Sequence, residues 1–110
     1  MRKRSSLGEF ELLVLATIVR LGDRAYGAEI FRELEEQTGR DIAMGAVYTT
    51  LYRLEEKGLL SSEVGEATPV RGGRARRYFS IEGAGVEAVR RSVQALGALI
   101  GDTHLGWGTT

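Results

Sequence analysis

The sequence predicts a mainly α fold with one small β-hairpin, and three observations carry that expectation. Apolar residues recur at helical spacing in four separate stretches, one arginine-rich stretch alternates with period two, and Gly22, Gly39 and Gly58 stand where three of the helices should stop. At 110 residues the chain is one ordinary domain, long enough to bury roughly 65% of the surface its unfolded form exposes.

Composition removes several function classes. With no cysteine and one histidine, a disulfide framework, a thiolate zinc site and an imidazole cluster are excluded, and no cofactor is implied. No nucleophile has a base beside it and no glycine-rich phosphate loop follows a strand, so an enzyme is not expected. The basic start, MRKRSS, precedes a stretch interrupted by Glu9 and Glu11, which reads as neither a signal peptide nor a membrane span; a cytoplasmic protein is the expectation. Fifteen basic and fifteen acidic residues cancel, yet Arg2, Lys3, Arg4, Arg71, Arg74, Arg76 and Arg77 are gathered into two short runs. A neutral total is compatible with a local field for a polyanion.

The first helix is predicted over Leu7 to Leu21, with Ser5 or Ser6 as N-cap and Glu9 and Glu11 favourable in the first turn. Its apolar residues point in nearly every direction, so a second covering surface is expected, most simply another copy of the chain. Val14 and Ile18 would then lie in a dimer interface; ordinary, partly exposed core is the equal alternative. After a turn at Gly22-Asp23-Arg24, Tyr26-Gly27 opens a second helix to about Thr38, with Ile30, Phe31 and Leu34 as its core stripe. Tyr26 is either a core aromatic or a hydroxyl reaching a phosphate at the helix N-terminus.

A short link, GRDIA, feeds a third helix, where Met44, Val47, Leu51 and Leu54 form the inward stripe. Gly45, Ala46, Thr49 and Arg53 lie opposite, with Tyr48 and Tyr52 along one shoulder. Two helices joined by so tight a turn, the second presenting a small and polar face, make a helix-turn-helix. Leu60 to Val64 and Ala75 to Ile81 follow as the strands of a hairpin, a wing whose long tip EATPVRGGR carries Gly73 and Arg74. From Ala67 through Ile81 there are four arginines and no acid; that is either solvated surface or, with glycines admitting close backbone approach, a groove or phosphate contact.

The last helix is predicted from Glu82 to about Gly101. Val86, Val89, Val93, Leu96 and Ile100 step along it as the seam of a coiled coil, which pairs either with another chain or with the helix's own domain. The expected division is a winged helix-turn-helix domain over 1–81, a C-terminal dimerisation helix over 82–104 and a flexible tail over 105–110, with His104 exposed and Trp107 either docked or free.

Three stretches in this order, AYGAEI (25–30), VYTTLYRLEEKGLL (47–60) and GGRARRYFSIEGAG (72–85), resemble the PadR family of bacterial winged helix-turn-helix regulators. The likeness spans roughly Leu7 to Leu99. It implies a homodimer, joined through the first and last helices, that binds a palindromic operator and represses transcription until an effector or signal releases it. By the same resemblance Tyr26, Tyr48, Thr50 and Tyr52 fall where the family anchors the DNA backbone. Ala46, Thr49 and Arg53 fall on the face entering the groove, and Gly73, Arg74, Arg76 and Arg77 on the wing. Thr49 departs from the proline of many members, and the last helix lacks the aromatic with which some short members stack a flat drug. The rival expectation is a winged-helix module that holds another protein; a small-molecule effector between dimer helices is a switch that fits the regulator reading.

Overall fold

In the computed structural model, which describes residues 7–22, 24–65, 76–101 and 103–105, helix α1 (Glu9–Leu21) is the axis of the domain. Its first turn is closed from within, since the Gly8 N–H donates to Glu11 Oε1 at 3.0 Å. The N-cap is Gly8 and the helix starts at Glu9, so the expected cap at Ser5 or Ser6, which lie outside the described residues, is corrected. Val14, Leu15 and Ile18 have no exposed surface, because α2, α3, β3 and α4 of the same chain all pack on this helix. The expectation that Val14 and Ile18 face a partner is therefore corrected: a side chain with nothing left to cover gains nothing from a second copy. Val19, more than half exposed, is the large apolar residue that α1 leaves open.

Helix α2 (Gly27–Thr38) buries Ile30 and Leu34 and ends at Gly39, whose φ of 67° is left-handed. Helix α3 (Met44–Glu56) follows after the short link and is fixed by Val47, Leu51 and Leu54, all fully buried. Met44, at the helix start, is 38% exposed and falls outside the inward stripe; its place is taken by Thr50 at 4%. The stripe thus runs 47, 50, 51, 54, the spacing of one face of a helix.

Three strands form one antiparallel sheet in the order β1-β3-β2. β2 (Leu60–Val64) and β3 (Arg77–Ile81) are the predicted hairpin, with Ser62 opposite Phe79 and Val64 opposite Arg77. β1 (Ala25–Tyr26) was not foreseen; it lays Ala25 beside Phe79 and Tyr26 beside Tyr78. Phe79 points inward and is fully buried among the helix residues. The hairpin tip, with Gly73 and Arg74, lies outside the described residues.

Helix α4 (Gly83–Ile100) leaves the sheet directly, with the Glu82 N–H donating to the Leu59 carbonyl at 3.0 Å. It docks through small residues, Gly85 and Ala88. A Cβ on Gly85 would stand 2.3 Å from Leu59 O and 2.8 Å from Ile81 Cγ1, so the approach requires glycine. Because the inward face is small, the larger apolar residues turn outward. Val86, Val93 and Leu96 of the predicted seam are exposed, as is Leu99 at 77%, whereas Val89 packs on the chain's own core and Ile100 is half-buried. No helix is long and apolar enough to cross a membrane, and no group of His, Asp and Glu able to hold a metal occurs, both among the described residues.

Candidate nucleic-acid interface

With Val47, Thr50, Leu51 and Leu54 held in the core, α3 can turn only its other side to solvent. Gly45, Ala46, Thr49, Tyr52, Arg53 and Glu56 are all exposed there, and Thr49, Tyr52, Arg53 and Glu56 line a shallow open groove. The first two turns of this face carry no charge and little bulk, and Arg53 stands in the third turn. A helix so dressed can be approached closely by another surface, with methyl groups foremost and a guanidinium behind. Thr50 is corrected here: on the core side, it has almost no surface to give a phosphate.

The end of α3 is tied to the start of α1. Lys57, the residue after the helix, donates to both carboxylate oxygens of Glu11 at 3.1 and 2.8 Å. Burial pushes the Glu11 carboxyl up, but the Lys57 hydrogen bond, the Gly8 N–H and the charges of Lys57 and Arg53 outweigh it and hold the group below its ordinary 4.5. Lys57 also places a positive charge at the negative end of the helix. This pair sets where α3 ends relative to the core.

Aromatic residues continue the surface away from α3. Tyr52 meets Phe79 edge-on at 6.0 Å and lies 6.2 Å from Tyr48. The Tyr48 ring covers Gly27, where a Cβ would fall 2.2 Å from Cζ and from the hydroxyl oxygen. Glycine after Tyr26 is what lets the Tyr48 hydroxyl sit at the N-terminus of α2, among N–H groups that favour an anion. Tyr26, half-buried on the sheet, meets Tyr78 edge-on at 5.9 Å.

Two guanidiniums lie over these last rings, Arg76 at 4.3 Å from the Tyr26 centroid and Arg24 at 4.1 Å from that of Tyr78. Arg77 is placed differently: its Nη1 donates to Ser62 Oγ at 2.9 Å, and Ser62 Oγ donates to Glu55 Oε2 of α3 at 2.7 Å. The wing base is thereby fastened to the helix beside it. Sequence reasoning brought Tyr26, Tyr48, Tyr52, Arg76 and Arg77 into view but missed Arg24 and Tyr78. Period-two alternation already put Tyr78 on the side of Arg76; what was absent was β1, since a two-residue strand has no periodicity to detect.

A model described as the transcriptional regulator PadR-like family matches residues 14–91. The chain belongs to this family. The match runs from within α1 through the first half of α4, so the helix-turn-helix, the wing and the connection to the last helix are family features of a DNA-binding regulator. Among solved structures, a PadR-like transcription factor from Bacteroides fragilis is 26% identical, with 82% of each chain covered and a TM-score of 0.71. A PadR family regulator from Eggerthella lenta is also 26% identical, over 83% of this chain and 79% of that one, with a TM-score of 0.67. A PadR family regulator from Clostridium difficile, 23% identical over 90% of this chain and all of its own, shares the fold with a TM-score of 0.71. Among curated proteins, none matches the sequence.

Proposed function

We propose that this PadR-like regulator is a cytoplasmic homodimeric repressor that binds a palindromic operator through α3 and the wing. An effector or signal releases it by changing the angle between protomers. The observation that carries the reading is the division of α3 into a locked inner stripe and an exposed outer face of Gly45, Ala46, Thr49, Tyr52 and Arg53. Ala46 and Thr49 offer methyl groups to a thymine, Arg53 a fork to guanine or phosphate, and Tyr26 and Tyr48 hydroxyls to the backbone. Gly73, Arg74 and Arg76 extend the contact along the wing.

One such face reads one half-site. The outward apolar residues of α4, Val86, Val93, Leu96 and Leu99, supply the surface on which a second copy associates, and two-fold symmetry then sets the half-sites about 34 Å apart. An interface of this kind is also the bistable element that an apolar ligand would bias. Footprinting on the region upstream of the protein's own gene tests the reading: two protected half-sites centred about 10 base pairs apart are expected, and absence of protection there overturns it.

The zero net charge favours one second reading, a winged helix that holds a protein. Replacing Arg74, Arg76 and Arg77 by alanine separates the two, because only the DNA reading expects duplex binding to vanish while the dimer persists.

A further inference from the structure

The outer face of the sheet bears a paired arrangement of which the reading above uses only Tyr26 and Arg76. Tyr26, Tyr78 and Glu63 lie side by side across β1, β3 and β2. Arg76 covers the first ring and Arg24 the second, and the rings touch edge to face. A guanidinium stacked on a ring keeps its N–H edges in the plane and directed outward, which is the geometry that recognises a phosphate. Arg24 Nη2 meanwhile rests 3.0 Å from Glu63 Oε2, and both side chains are about half exposed or more. A pair so open is worth little in water and yields readily to a stronger anion.

The position of this pair follows from the aromatic belt. Tyr52 on the exposed face of α3, Tyr48 over Gly27, Tyr26 at the head of α2 and Tyr78 beyond it are successive neighbours. A nucleic-acid strand leaving the α3 face toward the wing meets the stacked arginines next. We infer that Arg24 and Arg76, set by Tyr78 and Tyr26, form a two-point clamp on successive backbone phosphates of duplex DNA, and that Glu63 occupies Arg24 until a phosphate displaces it. The inference rests on the DNA reading and adds Arg24, Tyr78 and Glu63 to it. Arg24 is a phosphate contact, Tyr78 a positioning residue, and Glu63 a competitor.

The test measures the affinity of the full chain for an operator duplex chosen by selection from a random library, across a series of salt concentrations. Arg24→Ala should weaken binding to selected and unrelated duplexes alike. It should also make the slope of log affinity against log salt shallower by about 2 for a dimer, one phosphate being lost per protomer. Glu63→Gln should bind more tightly than the parent, and Tyr78→Leu should weaken binding with Arg24 still present. If Arg24→Ala leaves affinity and slope unchanged while the parent binds, the clamp is wrong and the DNA reading stands. If the parent binds no duplex, both fall. Circular dichroism checks each variant, and Arg24→Lys separates charge from geometry: it should retain the slope and lose affinity.

Discussion

Helices α1 and α4 both carry a run of large apolar residues, and the structure treats them in opposite ways. Residues of α1 are covered by four elements of their own chain, down to complete burial of Val14, Leu15 and Ile18. In α4 the chain covers the narrow side, Gly85 and Ala88, and leaves Val86, Val93, Leu96 and Leu99 outside. Apolarity all round a helix says that it is covered, without saying by whom. The size of the residues on each face decides that, since small residues admit a close neighbour and large ones on the reverse side are left for another surface.

The largest effect that would sharpen the contrast is in α1. Leu15→Ala leaves a cavity in a site with no exposure and should cost about 2–5 kcal/mol of stability, read by denaturant titration. In α4, Val93→Glu with Leu96→Glu should leave the helix content and the protomer's unfolding intact. It should weaken self-association at least about tenfold by sedimentation, each charge being placed on surface meant for burial. A dimer indifferent to both substitutions would break the contrast.

Smaller effects come from the first turn of α1. The Glu11 carboxyl is held below its ordinary 4.5, so its contribution is present above that pH and lost as the pH falls through the lower, folded value. Lys57→Met should therefore cost about 1–3 kcal/mol near neutrality and flatten the acid limb of the stability profile. Arg40→Ala, which removes the exposed pairing to Glu9 at 2.9 Å, should change the melting temperature less than Lys57→Met does.

The helices were legible because each is long enough to display a period and three of them stop at glycine. Their bounds and the β2–β3 hairpin follow from local chemistry. What escaped was non-local. β1 is two residues that become a strand only when β3 lies beside them, and with it went Arg24 and Tyr78. Thr50 reads as a polar surface residue until packing shows that it shares the core side with Val47 and Leu51. The Gly27 and Tyr48 positions were visible as a motif, but that one makes room for the other is a fact of three dimensions. The Glu11–Lys57 pair joins residues 46 apart, beyond the reach of any window.

The most direct measurement is the salt dependence of binding to a duplex from the protein's own upstream region, with stoichiometry measured on the same sample. If each protomer neutralises about four phosphates, a slope of log affinity against log salt near −7 is expected, with two protomers on each operator. A slope near zero, or a lone protomer on the duplex, would contradict the central claim that α3 and the wing of two copies grip DNA together.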